Sequence, residues 1–218
     1  MFIGHFAVGL AAKPAAPRVP LPWLLFAPNF LDVVWPVLVL AGVEQAEIEV
    51  GNTAFTPLHL VHMPWSHSLV MAIVWSALLA LLYWLRARDG RGAAVLAALV
   101  TSHWVLDWIT HAPDMALAPG NPTKLGLGLW NSIAGTLIVE LALFGVGVWL
   151  YLRATRPIDR AGRRGLAALV AFLLIAYFAA AFGPLPPTIV AVTISVLVLT
   201  VILVAWAQWL ERHRAMTR

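Results

Sequence analysis

Six long apolar stretches decide what this chain can fold into. They cover roughly residues 22–43, 68–85, 93–112, 127–152, 165–183 and 188–210. A helix needs about 20 apolar residues to cross a hydrocarbon core about 30 Å thick, and these stretches have that length. None alternates with a period of two, so the spans are helices and not barrel strands. Composition agrees. The chain is 61% hydrophobic and 11% charged, with mean hydropathy +0.86, whereas soluble domains carry about 25% charged residues. The expected fold is all-α, a polytopic membrane helix bundle of about six transmembrane helices. A short N-terminal helix over residues 1–12, too brief to cross alone, precedes them. We read residues 1–152 as a helical membrane domain and 153–218 as a C-terminal helix pair acting as scaffold or anchor within one integrated bundle.

Charge placement gives an orientation. Lys13 and Arg18 precede the first stretch, and Arg86, Arg88 and Arg91 separate the second and third. Arg153, Arg156, Arg160, Arg163 and Arg164 separate the fourth and fifth, and Arg212, Arg214 and Arg218 close the chain. The intervening loops are poor in Lys and Arg, and the first holds Glu44, Glu47 and Glu49. Six spans with both termini in the cytoplasm satisfy the positive-inside rule. The net charge of +4 is accounted for by these loops, so no nucleic-acid partner is expected. The first residues lack the basic region of a cleavable signal peptide. With no cysteine in the chain, a disulfide framework and thiolate metal ligation are excluded, and any tightly held metal must use His, Asp or Glu.

Ionisable side chains within a bilayer cost a few kcal/mol each and usually mark function. Asp32 lies midway along the first stretch, His103 and Asp107 within the third, and Glu140 midway along the fourth. His5 lies in the N-terminal segment, His62 and His67 before the second stretch, and His111 near the end of the third. The last two stretches have apolar interiors. Six of the seven histidines fall at or before position 111; the other, His213, sits in the basic tail and reads as solvated.

Three local patterns carry the chemistry. In His103-Trp-Val-Leu-Asp107-Trp-Ile-Thr-His111 the ionisable residues recur every four positions and share one helical face. Each step rises about 6 Å, so Asp107 can share a metal with either histidine, while His103 and His111, about 12 Å apart, cannot share one. Asp107, with two oxygens, is the candidate bridge. In His62-Met-Pro-Trp-Ser-His67-Ser68, Ser66 is the expected helix N-cap, which sets His67 in the first turn; Ser68 reads as a helix-start hydroxyl. In Pro28-Asn29-Phe30-Leu31-Asp32 the proline weakens the helix just before a carboxylate, and the freed backbone needs polar partners. At about 1.5 Å per residue, His5, Asp32, His67, His103 and Asp107 can all meet in the outer half of the membrane. Glu140, on one face of its helix with Ser132 and Thr136, is expected to support a ligand histidine, with a further ligand role or a simple bond across helices as the alternatives. His62, Ser68 and His111 are candidates for the same supporting roles.

In this order the segments resemble the YdjM-like inner-membrane metal-dependent hydrolases. The match runs from Gly4-His5 through Pro28 to Asp32 and His62 to Ser68, to Ser102-His103-Trp-Val-Leu-Asp107. Asn29 stands where that family usually has Asp, and Met63-Pro64 replace its usual Arg-Gly. The order of His and Asp is also similar, more loosely, to that of zinc-dependent phospholipase C. That similarity implies one metal on Asp32, His67, His103 and Asp107, and a second to which His5 and Asp107 contribute.

Imidazole and carboxylate donors without thiolate favour zinc, one or two ions, and are compatible with manganese or iron. The function expected is hydrolysis of a phosphoester in a lipid-like or amphiphilic substrate by a metal-activated water, in an inner (plasma) membrane. Asp32 and Asp107 are the candidate catalytic carboxylates. The alternative is a metal-ion or proton transporter, since intramembrane His and Asp also form ion relays, although no inverted repeat is visible. A third reading is a structural membrane protein with a metal staple. No GxSxG or HExxH nucleophile or zincin motif occurs.

Overall fold

The computed structural model describes residues 1–217. Eight helices carry almost all of the ordered structure among them. They are α1 (Ile3–Ala11), α2 (Leu21–Phe26), α3 (Leu31–Leu40), α4 (Leu69–Ala87), α5 (Gly90–Thr110), α6 (Ile133–Ala154), α7 (Arg160–Phe182) and α8 (Ile189–Glu211). Helices α4 to α8 are each long and apolar enough to cross a membrane. Taken together, α2 with the turn after it and α3 pass the same length and hydropathy test as a pair bent by 53°, either a broken span or a re-entrant loop. The outward face of α4 is a row of exposed Val70, Ile73, Val74, Leu78, Leu81, Leu82 and Leu85. Such a face is unusual in a soluble protein and ordinary against lipid.

The bend follows from the sequence. Pro28 and Asn29 lie in a 3-10 turn, Ala27–Asn29, between α2 and α3. Two carbonyls at this break accept side-chain donors: Leu25 O from Asn29 Nδ2 at 2.8 Å, and Pro28 O from His103 Nδ1 at 2.7 Å. A membrane-buried break persists only when its polar backbone is satisfied in this way. Asn29 thus serves the backbone. Asp32 falls in the first turn of α3, where the helix dipole favours an anion.

Short caps set the helix ends. Ser68, Asp89, Ser132, Asp159 and Thr188 each accept an N–H from the first turn of the helix that follows. Ser68, and not Ser66, is the N-cap of α4, so His67 lies outside the helix. The loop between α3 and α4 is a hairpin of β1 (Gln45–Ile48) and β2 (Leu58–His62). Two smaller pairings join β3 (Met115–Ala116) to β4 (Lys124–Leu125) and β5 (Thr155–Pro157) to β6 (Arg214–Met216). The last pairing folds the tail onto the loop between α6 and α7. His213 is therefore paired, its Nδ1 lying 2.8 Å from Asp159 Oδ2, and is not the free tail residue its position suggests.

Helix α1 is too short to span and is buried at Ile3, Gly4, His5, Phe6, Ala7, Gly9 and Leu10. Two glycines admit it. A Cβ on Gly147 of α6 would lie 2.4 Å from Ala7 O, and one on Gly9 would lie 2.4 Å from Leu24 O. Front and rear of the chain share one apolar core here, with Ile3, Leu10, Leu21 and Leu25 packed among Leu203, Ala207 and Leu210. Lys13 is buried and donates to Glu211 Oε1 and to Val19 O, each at 2.9 Å, while Glu211 Oε2 accepts Leu21 N–H at 3.0 Å. The C-terminal end of α8 is thereby tied to the connector after α1.

Candidate functional site

The fold brings His5, Asp32, His67, His103 and Asp107 together from four separated segments. His103 and Asp107 come from α5, the most buried of the spanning helices. His67 enters from the turn before α4, Asp32 from the start of α3, and His5 from α1. All but Asp32 are almost fully buried; the Asp32 side chain keeps 32% of its exposure.

Hydrogen bonds fix two of the imidazoles. His103 Nδ1 faces Pro28 O, which can only accept, so Nδ1 carries a proton, and in the neutral ring Nε2 keeps a lone pair. Ser66 Oγ lies 2.6 Å from Glu44 Oε2 and 2.7 Å from His67 Nδ1. A carboxylate only accepts, so the Ser66 proton points to Glu44 and Ser66 accepts from His67 Nδ1–H. His67 Nε2 then carries a lone pair as well. Glu44 is held in turn by the N–H groups of Trp65 and Ser66, both at 2.8 Å.

The two Nε2 atoms lie 3.2 Å apart. His103 Nε2 is 2.9 Å from Asp107 Oδ2 and 3.8 Å from Asp32 Oδ1, and His67 Nε2 is 3.8 Å from each of those oxygens. Four acceptors thus converge with no donor between them. Only a cation or an extra proton on a ring can fill that point. Tetrahedral zinc with bonds of about 2.0–2.1 Å sets its ligand atoms about 3.3 Å apart; these five separations lie on either side of that value, while Asp32 and Asp107 fall in different groups of mutually close donors. Two carboxylates and neutral imidazoles also match the charge of a divalent ion. The groups that can hold a metal are Asp32, His67 and His103, and His5, His103 and Asp107. Both include His103, whose single free nitrogen serves one ion.

His5 is placed differently. Its ring stacks on that of His103, with centroids 4.0 Å apart and planes within 7°. Its Nε2 lies 3.0 Å from Asp107 Oδ1, the oxygen that His103 does not face. Each oxygen of Asp107 therefore meets a different imidazole, as a bridging carboxylate requires. The amino group of Met1 also contacts Asp107 Oδ1. His5 Nδ1 has no partner, so His5 lacks the orienting bond that His67 and His103 have.

The remaining candidates divide. His111 Nε2 is 3.7 Å from Asp107 Oδ2, its Nδ1 is 3.1 Å from Asp114 Oδ1, and its ring lies against Trp130. Glu140 contacts no histidine. Its Oε2 accepts the N–H groups of Phe2 and Gly4, at 2.8 and 3.2 Å, and so holds the start of α1 beside His5. The expectation that it supports a ligand imidazole directly is corrected to this backbone contact. Ser68 caps α4. His62 is exposed at the end of β2, opposite Gln45, and is not brought to the cluster. Glu44 and Ser66 are the participants the sequence reading missed. An acidic loop residue 22 positions from its partner offers no local signal.

Beside the cluster lies a cavity of about 470 Å³. Asp32, His67, Asp107, His111 and Glu140 form its polar end, and Trp35, Leu60, Tyr177, Val196 and Leu199 are among its apolar walls.

A bent multi-span helical bundle with buried His and Asp converging at its broken helix defines a multi-pass membrane protein with a candidate metal centre. The chain belongs to the YdjM inner membrane protein family, whose model matches residues 1–209. Neither the curated proteins nor the solved structures give a significant match.

Proposed function

We propose that this protein is a membrane-embedded, metal-dependent hydrolase that cleaves a phosphoester in a lipid-like or amphiphilic substrate. The observation that carries this reading is the convergence of the His67 and His103 lone pairs with Asp32 and Asp107 at the polar end of an apolar cavity. Asp32, His67, His103 and Asp107 would hold one zinc ion, and Asp107 would extend to a second ion together with His5. Manganese or iron would be accommodated by the same imidazole and carboxylate donors. When bound, zinc acidifies water to a pKa near 7 and offsets negative charge developing on phosphoryl oxygen.

The chain's own residues supply the rest. Asp32, the most accessible of the carboxylates, lines the cavity, and its oxygen not engaged by the ion would accept the proton of the attacking water. Oxygen of that water bonds to phosphorus as the bond from phosphorus to the alcohol oxygen breaks. The proton passes to the departing oxygen, leaving an alcohol and a phosphate product. Apolar walls exclude competing water. The alternation of basic loops, read with the positive-inside rule, supports a topology with both termini in the cytoplasm and this centre in the outer half of the bilayer.

The test is metal analysis of the purified protein after dialysis, paired with release of phosphate or phospho-alcohol from phosphodiester and phosphomonoester lipids in mixed micelles. Retained stoichiometric zinc and zinc-dependent turnover are expected. A protein that neither retains nor takes up metal defeats the reading. Zinc that is lost on dialysis but accumulates in proteoliposomes would make the protein a transporter instead.

A further inference from the structure

The cavity next to the cluster is built unlike a void left by poor packing. Its polar end is the His/Asp centre. From there it runs beneath the hairpin, past Ile48, Leu58 and Leu60, and along the facing ends of α7 and α8. On these two helices the lining mixes small side chains, Ala176, Ala179 and Ala180 on α7 and Ala191 and Ser195 on α8, with larger ones such as Tyr177 and Leu199. Ala179, Ala180 and Ser195 are also exposed on the protein surface, so the cavity opens between two membrane-spanning helices.

A second observation points to a ligand. Tyr177 lines the cavity and is 1% exposed, yet its hydroxyl has no hydrogen-bond partner. Phe2 stacks on its ring at 6.1 Å and Phe55 lies at 5.8 Å, holding it in place. Glu140 Oε1, which also lines the cavity, is likewise without a partner. Buried polar groups are normally paired, and a hydroxyl buried without a partner is destabilising. A donor left free at the junction of a polar centre and an apolar channel suits a ligand with an acceptor-rich head and a hydrocarbon tail.

We propose that this cavity is the seat of a hydrocarbon chain of the substrate, entered between α7 and α8, with the Tyr177 hydroxyl donating to an oxygen of its phosphate head. This rests on the hydrolase reading above and names the substrate class: a phosphorylated amphiphile bound through a hydrocarbon chain. At about 470 Å³ the cavity falls within the roughly 300–1,000 Å³ typical of sites that enclose a small ligand. Ala180 and Ser195 would then control access, and α7 and α8 would be a substrate wall as well as a scaffold.

The experiment uses the full chain in lipid nanodiscs and a hexadecylphosphonate carrying a diazirine near the chain end. The carbon–phosphorus bond resists hydrolysis, so labelling does not depend on turnover. Labelled positions are mapped by mass spectrometry with and without added zinc, in wild type, Ala180→Trp, Ser195→Trp and Tyr177→Phe. Adducts concentrated on 192–200 and 176–181 and competed by unlabelled hexadecylphosphonate but not by hexadecane are expected. Either tryptophan variant should cut them at least five-fold with zinc content unchanged, and Tyr177→Phe should weaken competition by the phosphonate but not change where the label lands. Two tryptophans on opposite walls guard against one variant that fails to fold. Adducts spread evenly over the lipid-facing helices, or unaffected by both tryptophans, overturn the proposal. Zinc retention is scored separately: a protein that holds zinc but shows no labelling in the cavity sinks the chain site alone. A protein that labels there without ever holding zinc keeps the chain site and loses the hydrolase.

Discussion

Ser66 Oγ sits 2.7 Å from His67 Nδ1 and 2.6 Å from Glu44 Oε2, and this one hydroxyl decides which nitrogen of His67 faces the cluster. Because Glu44 takes the hydroxyl proton, His67 must donate from Nδ1 and present Nε2 as a ligand. Glu44→Gln should reverse the relay. The Gln amide would donate to Ser66, whose hydroxyl would turn to His67 Nδ1 and leave the proton on Nε2. Partners of this kind typically contribute 10–100-fold to metal affinity. We expect both Glu44→Gln and Ser66→Ala to weaken zinc binding by that order, measured by competition with a chromogenic chelator. Affinity unchanged in both variants would remove the relay from the site.

Asp107 is the residue with contacts on both oxygens, to His103 on one side and His5 on the other. Its loss should be the most damaging single change at the centre. Asp107→Asn puts an amide donor where an acceptor is needed, and stoichiometric zinc should disappear from the purified protein. His5→Ala should leave the first ion in place and reduce the metal count, if two are present in wild type, to one. A ligand that binds only the native state stabilises it by mass action. Chelation should therefore lower the melting temperature of wild type and leave that of Asp107→Asn unmoved. An Asp107→Asn protein that still carries a full complement of zinc would show that the ion, if any, sits elsewhere.

What was legible in the sequence follows from what the bilayer forbids. Twenty apolar residues in a row have few alternatives to a spanning helix, so α4 to α8 could be read almost to their ends. The break before Asp32 was legible because Pro28 must leave backbone unsatisfied. His103 and Asp107 stood out because ionisable groups are costly inside such a helix. The hairpin was not legible, since β1 and β2 are short and lie in an acidic loop. Nor was the supporting chemistry. Glu44 meets Ser66 only after the hairpin folds back, and Glu140 meets the backbone of Phe2 and Gly4 from 136 or more positions away. His62 misled by proximity: it is five residues from His67, but the turn at Met63 to Ser66 separates them.

At the opposite end of the bundle, outside the spanning helices, Asp159 caps α7. Its Oδ1 accepts Gly162 N–H at 2.7 Å, and its Oδ2 meets His213. The Gly162 N–H, and after it the His213 imidazole, hold this carboxyl below the usual aspartate range. A carboxyl whose pKa is lower folded than unfolded stabilises fully above its unfolded value of about 3.9. That contribution is lost as pH falls through the folded value. Asp159→Ala should melt below wild type at pH 7, and the gap should narrow only once the pH drops under about 4. A gap that closes between pH 7 and 5, where the carboxyl stays ionised, would overturn this account of the contact.

The position of His5 depends on how closely α1 can lie against α6, and Gly147 sets that distance. A Cβ there would come within 2.4 Å of Ala7 O and 2.8 Å of Ala7 Cα. These are backbone atoms, so no rotamer change can relieve the clash and α1 itself must shift. Gly145, two residues earlier on α6, has open space around its Cα and serves as the control. Ala is favoured over Gly in a helix by about 1 kcal/mol, so Gly145→Ala should be neutral or slightly stabilising. Gly147→Ala should instead lower the melting temperature despite the same propensity gain. It should also disturb the metal centre, because Ala7 is only two residues from His5. We expect weaker zinc binding in Gly147→Ala and wild-type binding in Gly145→Ala. If the two variants behave alike, α1 is not wedged against α6 at this point, and the placement of His5 beside Asp107 loses its support.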